Sequence, residues 1–501
     1  MAPSVLLFFV LGYFVILLII AYFTTKKSSG NNDFFIANRS SKWYLVAVGM
    51  IGTTVSGVTF ISVPGTVGTD GFAYFQFVIG NIFGYIIIAT ILLPIYYRLN
   101  LISIYGYLEK RFGFWSYKTG AFFFLISRVL GSSFRLFLVV LVLQHFILDS
   151  FGVPFWVTVA ASLLLIWTYT FRGGLKTIII TDSLQTIFLL ASVIITIFII
   201  GERMNLTLGG LADAVFNSHY SKVFFVENFT GNTHHFIKYF VGGIGVTVAM
   251  TGIDQDLMQK NLSCKNLSES KKNMFWFTGA FVFVNIFFLS VGALLYIYAK
   301  NQNIPIPNRS DFIFPEIAFN HLGAIGAIVF ILGLTAATFA TTDSALTALT
   351  TSFCIDFLGM GKDRSQNDQV SNSQQKRKIV HVIFSLVFLL VVILFKYLIS
   401  ESVVKAIFMV ATFTYGPLLG IFMFGILTKN YVRDRWVPFI CLLSPVICWI
   451  LDKNSTTWLW GYKFSFELII LNGLITFLGL MLISKKRDNT IVRTLNKRVM
   501  H

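Results

Sequence analysis

Residues 43–66 read WYLVAVGMIGTTVSGVTFISVPGT, a run long enough to cross a bilayer but interrupted by Gly49, Gly52, Gly57 and Pro64 and by the hydroxyls of Thr53, Thr54, Ser56 and Thr59. Backbone at membrane depth has no water to satisfy it, so a helix unwinds there only where it lines a cavity or is packed in protein. Residues 241–256, VGGIGVTVAMTGIDQD, repeat the pattern with Gly242, Gly243, Gly245, Gly252 and two threonines. Paired interrupted helices at corresponding places in two halves of a chain point to a transporter with its site at the bilayer midplane. The plainer alternative is that such glycines only let helices pack closely.

Working outward, 56% of the chain is apolar and only 12% charged, with a mean hydropathy of +0.76. That is too little charge for a soluble domain of 501 residues. Apolar stretches near 4–23, 43–66, 74–97, 117–147, 153–171, 180–201, 236–257, 273–299, 319–352, 379–395, 403–427, 436–452 and 464–484 predict thirteen spans, numbered here 0 to 12. The fold class expected is therefore an all-α polytopic membrane protein. Span 0 (1–24) is peripheral, 43–201 and 236–427 form two five-helix units of inverted topology, 434–484 adds peripheral spans 11 and 12, and 485–501 is a basic tail. Of 39 Lys and Arg, 28 fall on one side of these spans, Lys260 among them, and 9 on the other. The positive-inside rule then puts the N-terminus outside and the C-terminus in the cytoplasm.

The net charge of +17 is thus a topology signal, divided among short loops in a way that argues against nucleic acid. The first 25 residues carry no charge, so span 0 reads as retained rather than as a cleaved signal. Cys264, Cys354, Cys441 and Cys448 show no metal spacing. A polar stretch at 361–375 reads as a mobile loop. No nucleophile–base pair marks an enzyme, and no obligate protein partner is evident.

Ionisable residues inside spans are functional candidates. Arg128 and Arg135 share a face of span 3. Asp182 lies in span 5, and Asp343 in span 8 among the dense hydroxyls of TAATFATTDSALTALTTS (335–352). Carboxylates, hydroxyls and free carbonyls suit a dehydrated Na⁺. The competing expectation pairs Asp343 with Arg128 or Arg135, the hydroxyls bonding back to their own helix. Phe60, Phe75 and Phe77 read as core or lipid-facing rings.

DFFIANRSSKWYLVAVGMIGTTVSGVTFISVPG (33–65), SIYGYLEKRFG (103–113), GGLKTIIITDSLQ (173–185), GIDQDLMQ (252–259) and the span 8 hydroxyl run together resemble the sodium:solute symporter family, carriers of sugars, proline, sialic acid, vitamins and iodide. The resemblance implies the inverted-repeat fold of the bacterial leucine transporter, Na⁺ as coupling ion, and a multi-pass protein of the cell membrane importing a small polar solute. It implies a sodium site from the carbonyls of Gly52, Val55 and Ala337 and the hydroxyl of Thr341; Ala340 stands where the family commonly has a second hydroxyl. Asp182, Asp343 and Ser344 match a second cation site of some members, with a carboxylate where serine is usual. Two carboxylates there favour sodium strongly or hold a proton, which keeps proton coupling open. Solute candidates carried over are Thr54, Ser56, Thr59, Gln76, Arg135 and Tyr415. Arg135 matches an arginine that contacts the substrate carboxylate in sialic-acid carriers, so an organic anion is the expected solute. Sugar or polyol transport is the alternative, though Thr54 and Val78 stand where sugar carriers of the family have Asn and Glu. A solute sensor that does not transport is the remaining rival, and the short tail offers it no output domain.

Overall fold

The structure is a computed structural model that describes residues 2–25, 31–360, 368–398 and 403–485. Among the described residues nine helices are long and apolar enough to cross a membrane, or eleven if each of two bent pairs counts as one span. The bent pairs are those expected to be discontinuous. Trp43–Thr54 and Gly57–Asp70 meet at 57°, and Phe236–Gly252 and Gln255–Leu262 meet at 64°. Spans 4 and 12 are shorter apolar helices, Phe155–Thr170 and Leu468–Leu482. Spans 4 and 5 form one helical run, Phe155–Met204, kinked where Gly174 adopts a φ of 57° that its lack of a side chain permits.

Three boundaries differ from expectation. Span 9 belongs to a helix that begins at Asp368, inside the supposed polar loop. The rest of that loop (361–367) and the basic tail from 486 lie outside the described residues. Tyr431–Val432 and Ser484–Lys485 pair as two short antiparallel strands, the one sheet among the described residues. Span 6 does not stop at 257: beyond its break the chain continues as helix to Leu262. Leu257, Met258 and Leu262 supply that extra segment with buried apolar side chains.

Span 8 packs along the Phe155–Met204 run, span 1 crosses the same run, and span 10 lies against spans 3 and 12. Spans 2 and 6 meet in a close seam. A Cβ on Gly80 would sit 2.1 Å from the Phe240 carbonyl oxygen, and one on Gly243 would sit 2.3 Å from that of Phe77. Backbone touches backbone there, as small residues allow between membrane helices. Exposed rings such as Phe83, Trp276, Phe283 and Trp449 ring the outside, the surface a lipid bilayer covers.

Candidate functional site

The span 1 break sits at Val55 and Ser56, whose ψ angles of 81° and 171° are not helical. In an unbroken helix the Ser56 amide would donate to Gly52; here it donates to the Thr54 carbonyl at 3.1 Å. The Gly52 carbonyl is thereby released from its usual partner. The break abuts span 8, since a Cβ on Gly57 would lie 2.4 Å from Thr338 Oγ1, one turn from Thr341. Gly52 is as tightly held from the other side, 2.4 Å from Thr186 Oγ1 by the same measure. Gly52, Val55, Ala337 and Thr341 are all buried. Thr341 Oγ1 donates back to the Thr338 carbonyl at 2.8 Å, which leaves its lone pairs available. The released Gly52 carbonyl and the Thr341 hydroxyl are neutral oxygens of the kind that suits a hard monovalent cation.

A cavity of about 470 Å³ opens beside the break. Thr54, Ser56, Thr59 and Arg135 line it, as do Thr53, Ser62, Arg128, Asn81 and Thr247. The hydroxyls of Thr54 and Ser62 are buried without a hydrogen-bond partner. Phe77, read as a packing ring, also lines the cavity, in contact with Phe466 (4.7 Å) and Phe408 (5.6 Å between centroids). Two solute candidates lie elsewhere. Gln76 is fully buried, accepting from the Phe225 amide at 3.1 Å and donating to the His234 carbonyl at 2.9 Å. It ties span 2 to the segment ahead of span 6. Tyr415 donates to Asp254 Oδ2 at 2.5 Å and faces a pinched crevice of about 10 Å³ that Arg128 and Arg135 share.

The two arginines of span 3 have different company. Arg128 is ion-paired to Asp256 and lies 3.7 Å from Asp254. Arg135 is half-buried and has no ion pair or hydrogen bond among the described residues. Its guanidinium is a cation presented to the cavity with its donors unused.

The sequence reading assigned no role to Asp254, Asp256 or Lys260, although GIDQDLMQ was singled out. Asp254 caps the restarted helix of span 6, accepting from the Asp256 and Leu257 amides at 2.9 and 3.4 Å. An aspartate directly after a glycine-broken helix is the available signal for such a cap. Lys260, expected among the cytoplasmic loop charges, is instead fully buried and ion-paired to Asp182 at 2.5 Å. It also donates to Thr53 Oγ1. The 64° bend turns the segment beyond it back into the protein, against spans 1 and 8.

Asp343 accepts from Tyr169 Oη at 2.8 Å and from the Ser344 amide at 2.5 Å, and has no ion pair with either arginine among the described residues. Ser344 donates to Asp256. Asp182, Asp343 and Ser344 thus hold three different partners. Part of the hydroxyl run behaves as the competing expectation has it: Thr338, Thr342 and Thr350 donate to carbonyls of their own helix at 2.7–2.9 Å, whereas the buried hydroxyls of Thr335 and Thr347 have no hydrogen-bond partner. Among the described residues no group of three or more His, Cys, Asp or Glu could hold a metal.

The profile of the sodium:solute symporter family matches residues 34–433. The sodium/sialic acid symporter NanT of Aliivibrio fischeri is 24% identical over 454 residues, 88% of this chain and 87% of that protein. The sodium-coupled monocarboxylate transporter 1 of Mus musculus is 28% identical over 245 residues, 48% of this chain and 39% of that protein. A solved substrate-bound, outward-open Na⁺-coupled sialic acid symporter superposes with a TM-score of 0.78 at 20% identity, covering 96% of this chain and 99% of that one. A nucleobase-cation-symport-1 family transporter in a closed conformation follows the same fold at a TM-score of 0.56 and 13% identity, covering 90% and 93%.

Proposed function

Because the chain belongs to the sodium:solute symporter family, and is therefore a membrane-embedded, sodium-coupled carrier and not an enzyme, we propose that it imports a small organic carboxylate with Na⁺ by alternating access. One observation carries the choice of solute: Arg135 faces the cavity unpaired while Arg128, seven residues away, is neutralised by aspartates. A guanidinium in a dry pocket holds a carboxylate through two parallel hydrogen bonds. Thr54, Ser56, Thr59 and Ser62 meet the solute's polar groups, while Phe77, Phe408 and Phe466 cover its apolar part. The names of the sialic acid and monocarboxylate relatives are consistent with such a solute.

Sodium binds between the broken span 1 and span 8, at the carbonyls of Gly52, Val55 and Ala337 and the hydroxyl of Thr341. Its charge holds the two helices together and favours the outward-open state; release to a sodium-poor cytoplasm loosens them. Spans 1–5 and 6–10 act as inverted repeats within thirteen spans, and the group of spans 1, 2, 6 and 7 rocks against spans 3, 4, 8 and 9. The N-terminus lies outside; removing Lys260 from the loop charges leaves a split of 27 to 9 that supports the same orientation.

The test is the thermal stability of the purified protein in NaCl and in choline chloride, across a solute panel weighted towards carboxylates. A sodium-dependent upward shift with one carboxylate supports the reading. A shift with neutral sugars only refutes the carboxylate, and no response to sodium refutes the coupling.

A further inference from the structure

The family resemblance implies a second cation site at Asp182, Asp343 and Ser344, and here that first aspartate is already engaged by a lysine. Lys260 Nζ reaches Asp182 Oδ2 at 2.5 Å and also donates to Thr53 Oγ1, and Lys260 and Asp182 are both fully buried. The ammonium is delivered by the segment past the span 6 break, so it joins spans 1, 5 and 6 at one point. The other two expected ligands are engaged elsewhere, Asp343 by Tyr169 and Ser344 by Asp256. Asp182 Oδ1 alone has no hydrogen-bond partner, and one carboxylate oxygen beside a fixed positive charge is a poor cation site: a sodium ion there would meet like-charge repulsion without solvent to screen it. An ammonium and a sodium ion carry the same charge and seek the same oxygens, but only the ion can leave.

We propose that Lys260 is the resident cation of the Asp182 site, so that this carrier couples its solute to one sodium ion, the one held between spans 1 and 8. The proposal rests on the sodium-coupled reading above. It assigns Lys260 a role in setting stoichiometry, separate from solute binding.

The experiment counts ²²Na⁺ bound at saturation by the purified full-length protein, without solute. The expected count is one for the wild type. Lys260→Ala frees Asp182 Oδ2 and the Thr53 hydroxyl from the ammonium, beside the already unpartnered Oδ1, and its count should rise to two. The double variant Asp182→Asn/Lys260→Met removes both charges and should return to one, which ties the second ion of Lys260→Ala to the Asp182 carboxylate. Two ions on the wild type, or one on a folded Lys260→Ala protein, overturns the proposal and leaves sodium coupling standing. No bound sodium on the wild type overturns both. Should Lys260→Ala fail to fold, Lys260→Gln, which removes the charge but keeps a polar chain of similar reach, takes its place: a count of two supports the proposal and a count of one overturns it.

Discussion

Replacing each span 3 arginine with glutamine separates a solute contact from a structural ion pair. Arg135→Gln removes no bond that the protein makes with itself, so the stability change should stay within about 0.5 kcal/mol. A carboxylate solute loses its charge-assisted hydrogen bonds, worth about 1.5–3 kcal/mol, so affinity should fall about 10- to 150-fold. Arg128→Gln does the reverse. It strands the carboxylates of Asp256 and Asp254, both almost inaccessible, and losing one partner of a buried pair costs roughly 3–5 kcal/mol. Melting curves of the two purified variants in NaCl, beside calorimetric titration of the stabilising carboxylate, read both quantities. An Arg135→Gln protein as destabilised as Arg128→Gln, or one that keeps wild-type affinity, would refute the reasoning.

Thr341→Ala should weaken sodium dependence of solute binding far more than it lowers expression, because the side chain's bonds within the protein run to its own helix; equal losses in both would indicate a structural role. Gly57→Ala should push spans 1 and 8 apart, its Cβ meeting Thr338 Oγ1 at 2.4 Å and Val139 Cγ2 at 2.7 Å. The cost of about 1–3 kcal/mol should register as a lower melting temperature and weaker apparent sodium affinity, and a variant normal in both would show the seam to be loose. The four cysteines are buried and unpaired, and burial pushes the Cys264 thiol up to about 12. N-ethylmaleimide at about pH 8 should therefore label none of them until the protein is denatured; rapid labelling in the native state would contradict the packing around them.

The apolar helices and the two breaks are legible because hydrophobic run length and glycine clustering are local properties, though the bounds of spans 6 and 9 are not. Gly52, Gly57 and Gly252 announce the interruptions without reference to any neighbour. Arg135 could be singled out for the same reason, as a charge inside an apolar run. What stayed hidden depends on which side chain meets which. Lys260 follows an apparent span end by three residues, and only the bend at Asp254 reveals that it points inward. Gln76 looked like a solute contact because a polar residue in a span is conspicuous, yet its carboxamide closes a loop whose sequence gives no hint of that need. Arg128 and Arg135 are the same residue seven positions apart; that one is neutralised and the other is not depends on aspartates in span 6, a long way along the chain.

The bare backbone seam between Gly80 and Gly243 bears on biogenesis. Its two faces are made far apart in time, the first half emerging from the ribosome and entering the bilayer well before the second. Until span 6 arrives, span 2 presents Gly80 and Gly84 to lipid, with no side chain to fill the groove. The seam can therefore close only after span 6 has entered the membrane. A bulky residue at either glycine would be felt first as a failure of assembly, with nascent protein lost to quality control, before any transport defect could be measured.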